Sequence, residues 1–142
     1  METKSGLNAS TTSAAMFSYN AFIPGASYGS ARFALTPDVV KSWSLLFPYD
    51  FDGDMMPASM TSAVVMQAYH ELITPRPPGN IHGGQRCQIA KLPSLGEILI
   101  THVSCRDKEL RKGRRIVHLL FETYMSSGMK SFTSNFTSIV SS

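Results

Sequence analysis

Three carboxylates fall within five residues in Tyr49-Asp50-Phe51-Asp52-Gly53-Asp54, directly ahead of a long apolar run. A carboxylate so placed can take a proton from water and act as a general base. The same stretch also reads as a solvated acidic loop, favoured by the positive end of a following helix. Asp50 and then Asp54 are the candidates for a chemical role. Four histidines are present, His70, His82, His102 and His118, and each titrates near neutrality when unperturbed. His70 falls near the end of the apolar run, where an imidazolium suits a helix C-terminus, so it reads as structural. His102 and His118 alternate with aliphatic residues on strand-like stretches and read as core or interface side chains that could pair across a hairpin. His82 opens the strand after the apolar run and is the best candidate for a displaced acid or base. Cys87 and Cys105 lack metal-ligand spacing and read as buried free thiols, so neither a metal nor a bound cofactor is expected.

The elements that must position these groups follow from periodicity. In residues 55–73, Met56, Met60, Ala63, Val64, Met66, Ala68, Tyr69, Leu72 and Ile73 recur at helical spacing, while Met55 and Val65 fill the other side. A helix apolar nearly all round is expected to be wrapped. Gln67, His70, Glu71 and Pro57 argue against a membrane span. Residues 25–35 alternate as a first strand. Thr36-Pro37-Asp38 starts a short helix over 37–47, with threonine as N-cap and proline at the first helical position. Four further strands are expected at 84–92, 96–106, 114–125 and 130–140, separated by turn residues and read as an antiparallel meander. The fold class is therefore α+β: a bent antiparallel sheet around a central helix. Residues 1–20 read as a flexible tail and 21–142 as a single domain. Asn8-Ala9-Ser10 matches a glycosylation sequon, but no secretory signal accompanies it, and a cytoplasmic location is the default.

The net charge of +3 is too mild to imply nucleic-acid binding. Six of the thirteen cationic residues lie between Arg106 and Arg115, interrupted by Asp107 and Glu109, and flank a turn. No aromatic ladder accompanies them, so nucleic acid is not an expected partner.

The order of strand, short helix, loop, long helix and four strands resembles the hotdog fold, and within it the MaoC-like branch of (R)-specific enoyl-CoA hydratases and acyl dehydratases. Pro78-Gly79-Asn80-Ile81, Leu92-Pro93-Ser94-Leu95-Gly96-Glu97 and the hairpin Asp107-Lys108-Glu109 to Lys112-Gly113-Arg114-Arg115 carry the likeness, over residues 25–141. The family's Asp-x-Asn-Pro-x-His loop is absent. Asp50 stands in the aspartate's place, Met55 in the histidine's, and the Asn-Pro step is missing. Where the family has His-Gly at the helix entrance, this chain has Pro57-Ala58-Ser59, which still offers backbone N–H groups to a thioester carbonyl. Ile81-His82-Gly83-Gly84 matches the thioesterase His-Gly-Gly in letters but follows the helix instead of entering it.

The resemblance implies a hydratase or dehydratase acting on an acyl-CoA or carrier-bound acyl thioester. Ala58 or Ser59 N–H would polarise the carbonyl, and Asp50 or Asp54, with His82, would handle water and proton. Arg114 and Arg115 would grip the phosphates of coenzyme A; the alternative is a solvated hairpin tip. A homodimer or higher homo-oligomer is implied, because a hotdog monomer leaves a strand edge open. The rival readings are an acyl-CoA thioesterase, a non-catalytic hotdog subunit and a ligand-binding protein.

Overall fold

The computed structural model describes residues 16–51 and 53–142. Alternation of side chains builds five strands, β1 (Ser27–Ala34), β2 (Ile81–Ile89), β3 (Ile98–Arg111), β4 (Arg114–Tyr124) and β5 (Lys130–Val140). They form one antiparallel sheet in the order β1-β3-β4-β5-β2. Two helices, α1 (Pro37–Leu46) and α2 (Thr61–Leu72), lie between β1 and β2 in the chain. The expected meander holds for β3, β4 and β5, but β2 pairs with β5 and not with β3. The sheet thus has two edges where one was expected, β1 and β2, each carrying a bulge. Nothing in the alternation of β2 reports which strand it will join, because pairing partners are set by the packing of both faces.

The inward face carries Leu99, Val103, Val117, Leu119, Phe121, Phe132 and Phe136, all essentially inaccessible. At Lys112-Gly113 both residues take positive φ, 51° and 77°, and join Arg111 to its pair Arg114 as a two-residue hairpin turn. β3 runs five residues past its expected end. A bulge between Cys105 and Asp107 shifts the alternation there, which hides the continuation behind a run of charges.

α1 starts as its residues dictate: Thr36 Oγ1 accepts the Val39 N–H at 3.2 Å, and Pro37 opens the helix. α2 is shorter than the 55–73 run. Met55 pairs with Ser94 as an isolated bridge, Met56 N–H donates to Pro93 O, and a 3₁₀ turn over Ala58–Met60 leads into the helix. Pro57 explains this, since the residue before a proline is steered away from helical geometry. Thr61, Val64, Val65, Ala68 and Tyr69 form the buried stripe of α2. Ala63, Met66 and Leu72 are only half-buried and Gln67 is exposed, so the sheet of a single chain wraps the buried face of the helix and leaves the opposite face open.

Residues 1–15 of the expected tail lie outside the described residues. Residues 16–20 are fastened down: Phe17 packs on Phe22 and Tyr28, its N–H donates to Pro75 O, and Tyr19 N–H donates to Ser142 O. Among the described residues, no helix is long and apolar enough to cross a membrane.

One polar pair sits inside the core. Thr101 and Thr123 oppose each other on β3 and β4 with their hydroxyls 2.7 Å apart, both buried. Removing one hydroxyl strands the other, whereas removing both strands neither. Thr101→Val and Thr123→Val should each destabilise by about 1–2 kcal/mol, and the double variant by less than their sum. Urea unfolding of the three variants checks this; simple additivity would contradict it.

Candidate functional site

The loop after α1 folds back onto the start of α2. A 3₁₀ turn over Pro48–Asp50 brings the Asp50 carboxylate to the helix entrance, where Oδ2 accepts the Ser59 N–H at 2.6 Å. Trp43 of α1 donates its indole N–H to Ser59 Oγ at 3.0 Å. The Ser59 hydroxyl, then its backbone N–H and, more weakly, the Ala58 N–H hold the Asp50 carboxyl below its ordinary 3.8. Thr61 and Ser62 hydroxyls donate to the Ala58 and Ser59 carbonyls and stiffen the same turn. Pro57, buried and extended, sets the angle at which the chain enters it. The candidate carbonyl donors therefore face a carboxylate of their own chain. Ser59 sits in an open cleft of about 360 Å³, lined also by Leu46, Phe47, Pro48, Tyr49 and Asp50. Leu46 is 73% exposed and Tyr49 wholly so, an apolar patch of the kind that covers a ligand or partner.

Asp54 is exposed on the same loop, next to Gly53 in a positive-φ turn, and its carbonyl accepts the Leu95 N–H. Asp52 lies outside the described residues.

His82 is elsewhere. It is on the inward side of β2, stacked on Phe136 at 4.2 Å between centroids and 6° between planes. Phe136 in turn stacks on Tyr69, one turn from the end of α2. From Ser59 to Tyr69 is about 15 Å along the helix, so one chain does not bring His82 to Asp50. His82 borders its own cavity of about 220 Å³, with Met66, Tyr69, His70, Arg76, Asn80 and Phe136 among its walls. His70 Nδ1 lies 3.1 Å from the Arg76 guanidinium at the end of α2. Arg76 also donates to Ile73 O at 2.6 Å, capping the helix end in the role expected of the histidine.

Arg114 and Arg115 stand at the β3–β4 tip, beside Val140 and the C-terminal strand end, with Arg115 donating to Ser141 O. This is the His82 end of the sheet, where Ile116 and Ile81 both pair with Ile139. His102 and His118 do not pair: His102 faces Glu122 and packs on Tyr124, while His118 contacts Glu109 and Thr137. Both cysteines are free, and burial pushes the Cys105 thiol up. Among the described residues no group of three or more His, Cys, Asp or Glu is placed to hold a metal ion. The Trp43–Ser59–Asp50 chain was not legible from spacing. Its only signal is a lone tryptophan on the helix that precedes the loop.

No family model matches the chain, and no curated protein matches it in sequence. Solved structures do match. A MaoC-like dehydratase from Rhodospirillum rubrum superposes with a TM-score of 0.73 at 18% identity, over 87% of this chain and 96% of that one. The C-terminally truncated HadBC (3R-hydroxyacyl-ACP dehydratase) complex from Mycobacterium tuberculosis gives 0.65 at 12%, over 80% and 92%. The R-hydratase PhaJ1 from Pseudomonas aeruginosa gives 0.66 at 13%, over 87% and 84%. The chain has the hotdog fold, in the form seen in MaoC-like dehydratases.

Because its folded pKa is depressed, Asp50 contributes stability that is fully present above its unfolded value and is lost as pH falls through the folded one. Asp50→Ala should cost about 1 kcal/mol at pH 7, as for a lost helix cap. Its deficit against wild type should shrink below about pH 4. Urea titrations at pH 7 and pH 3 measure this; a deficit unchanged at pH 3 would show that the carboxylate charge is not involved.

Proposed function

We propose that this chain acts on acyl thioesters as a hydratase or dehydratase, with an acyl-CoA or a carrier-bound acyl group as substrate. The observation that carries the reading is the helix entrance: the Ser59 N–H donates to a carboxylate oxygen at the mouth of an apolar cleft, with the Ala58 N–H next to it in the chain. In the ground state drawn by the structure, that oxygen belongs to Asp50. Its position is the one a thioester carbonyl oxygen would take, and an N–H pair at a helix start stabilises charge developing there. Displaced by the carbonyl, Asp50 would lie next to the reacting carbons, in reach of the water it deprotonates for hydration. The carbanion formed at the α-carbon would then be protonated, and dehydration runs the same steps in reverse. The exposed Leu46, Phe47 and Tyr49 would cover the acyl chain. Asp54 is the second candidate base. A homodimer fits this reading: the exposed β2 edge is free to pair with a second copy, and the half-open side of α2 would be closed by it. His82, Arg114 and Arg115, at the far end of one chain, would serve the site only across such an interface, His82 as acid and the arginines toward coenzyme A phosphates.

A second reading is favoured by a specific feature. The donors are already satisfied by a low-pKa carboxylate, and no histidine of the same chain stands beside it. A hotdog subunit that binds acyl thioesters without turning them over has this design, with an active partner supplying the base pair.

The test follows enoyl absorbance and free thiol together, with purified protein and enoyl-CoA of several chain lengths. Enoyl loss without thiol is expected, and Asp50→Asn should lower it by about 10²–10⁴-fold while leaving the fold intact. Undiminished turnover in Asp50→Asn would remove Asp50 as base. Thiol release would make the protein a thioesterase. Silence in both channels from a folded protein would leave the non-catalytic subunit.

A further inference from the structure

The outer face of the sheet, turned away from α2 and its clefts, carries a second built feature. β2 presents Gly84 and Arg86 outward, opposite Thr137 and Asn135 of β5. A bulge between His82 and Gly84 sets this register. A glycine inside a strand weakens it and often marks a bulge, as here, or a site where a ligand approaches the backbone closely. A Cβ at Gly84 would meet no atom within 4 Å, so the missing side chain leaves open space and relieves no internal clash. That space is a groove of about 420 Å³ lined by Gly84, Gln85, Arg86, Arg106, Asn135 and Thr137. Its walls hold two guanidinium groups and no carboxylate.

Arg106 is held in place. It reaches from the β3 bulge across β4 to donate Nη1–H to Asn135 Oδ1 at 2.7 Å. That bond uses the amide oxygen, so the Asn135 NH₂ is a donor left for another acceptor. Neither Arg86 nor Arg106 has an ion pair among the described residues, whereas Glu109 and Glu122 take Arg111, His118 and Lys130. The acidic side lies beyond Arg106, in an adjoining hollow of about 240 Å³ lined by Arg106, Asp107, His118 and Asn135. An anion would seat on the Gly84 side and be repelled from the Asp107 side. Planar guanidinium forks match phosphate oxygens two at a time, and the groove is of small-ligand size.

We propose that this groove binds the phosphate or diphosphate group of a small phosphorylated ligand, held by Arg86, Arg106 and the Asn135 amide over the gap at Gly84. The site is on the opposite face of the sheet from the helix entrance, so it stands or falls independently of the acyl-thioester reading.

Calorimetric titration of the full chain with inorganic pyrophosphate tests it, with inorganic phosphate in parallel. Saturable binding is expected, weakened by about tenfold or more in Arg86→Gln/Arg106→Gln, since each lost fork removes charge-assisted hydrogen bonds. Gly84→Leu should abolish binding without changing charge, its fold being checked by urea unfolding. Lys41→Gln/Lys91→Gln, with the same loss of net charge at exposed positions elsewhere, should bind as wild type. Equal weakening by the lysine pair, survival of binding in Gly84→Leu, or no binding by wild type would overturn the proposal. Adding coenzyme A identifies the source: competition with pyrophosphate assigns the groove to the coenzyme's own phosphates, and independence assigns it to a separate phosphorylated molecule.

Discussion

The contact between one stripe of α2 and the concave face of the sheet is the constraint everything else obeys. Val64, Val65, Ala68 and Tyr69 have no other place to bury, and Leu99, Val103, Phe121 and Phe136 supply the surface. Once that contact exists, the start of the helix must project toward the β2–β3 connection, where Met56 N–H meets Pro93 O. The end of the helix must fall beside β2 and the C-terminus, where Arg76 caps it. The two candidate regions are thus the two ends of a single buried rod. Their separation is a consequence of helix length, not of any local choice.

At the entrance end, the chain uses one set of hydrogen bonds for two purposes. Asp50 satisfies the Ser59 N–H at the helix entrance, one of the donors any helix start must satisfy somehow. In doing so it occupies the position that gives such a start its chemical use. A carboxylate lowered in pKa by these donors is ionised at neutral pH, as a base must be, but it is also well solvated and weakly basic. Catalysis would require the thioester oxygen to take over the donors and release the carboxylate into a drier setting. The apolar cleft of Leu46, Phe47 and Tyr49 is the part of the structure that could provide it. The shortness of the Asp50–Pro57 loop is what permits the self-capping at all.

The outer face shows how differently polar groups are treated when no core depends on them. Thr101 and Thr123 inside the sheet satisfy each other and nothing else. Outside, Glu109 contacts both Arg111 and His118, while Arg86 and Arg106 a short distance away have no ion pair among the described residues. The same alternation that hides Phe121 and Phe136 leaves Leu120, Asn135 and Thr137 half-buried on this side, so groove and core are written by one pattern read on its two faces.

Much of the fold was legible in the residues themselves. Thr36-Pro37-Asp38 started α1, the alternation of 114–125 and 130–140 placed β4 and β5, and Lys112-Gly113 set the turn between β3 and β4. These are local signals, satisfied within a few residues and so independent of what packs on them. That Asp50 and Ser59 belong to one short stretch around a helix start was likewise visible, though their hydrogen bond was not. Tertiary structure alone decided that β2 joins β5, that His82 stacks on Phe136 far from Asp50, that Trp43 reaches Ser59, and that Arg86 and Arg106 share a groove. Each depends on which strand or helix meets which, and that choice is made by burying the α2 stripe and the sheet's inner face together. No spacing along the chain records it.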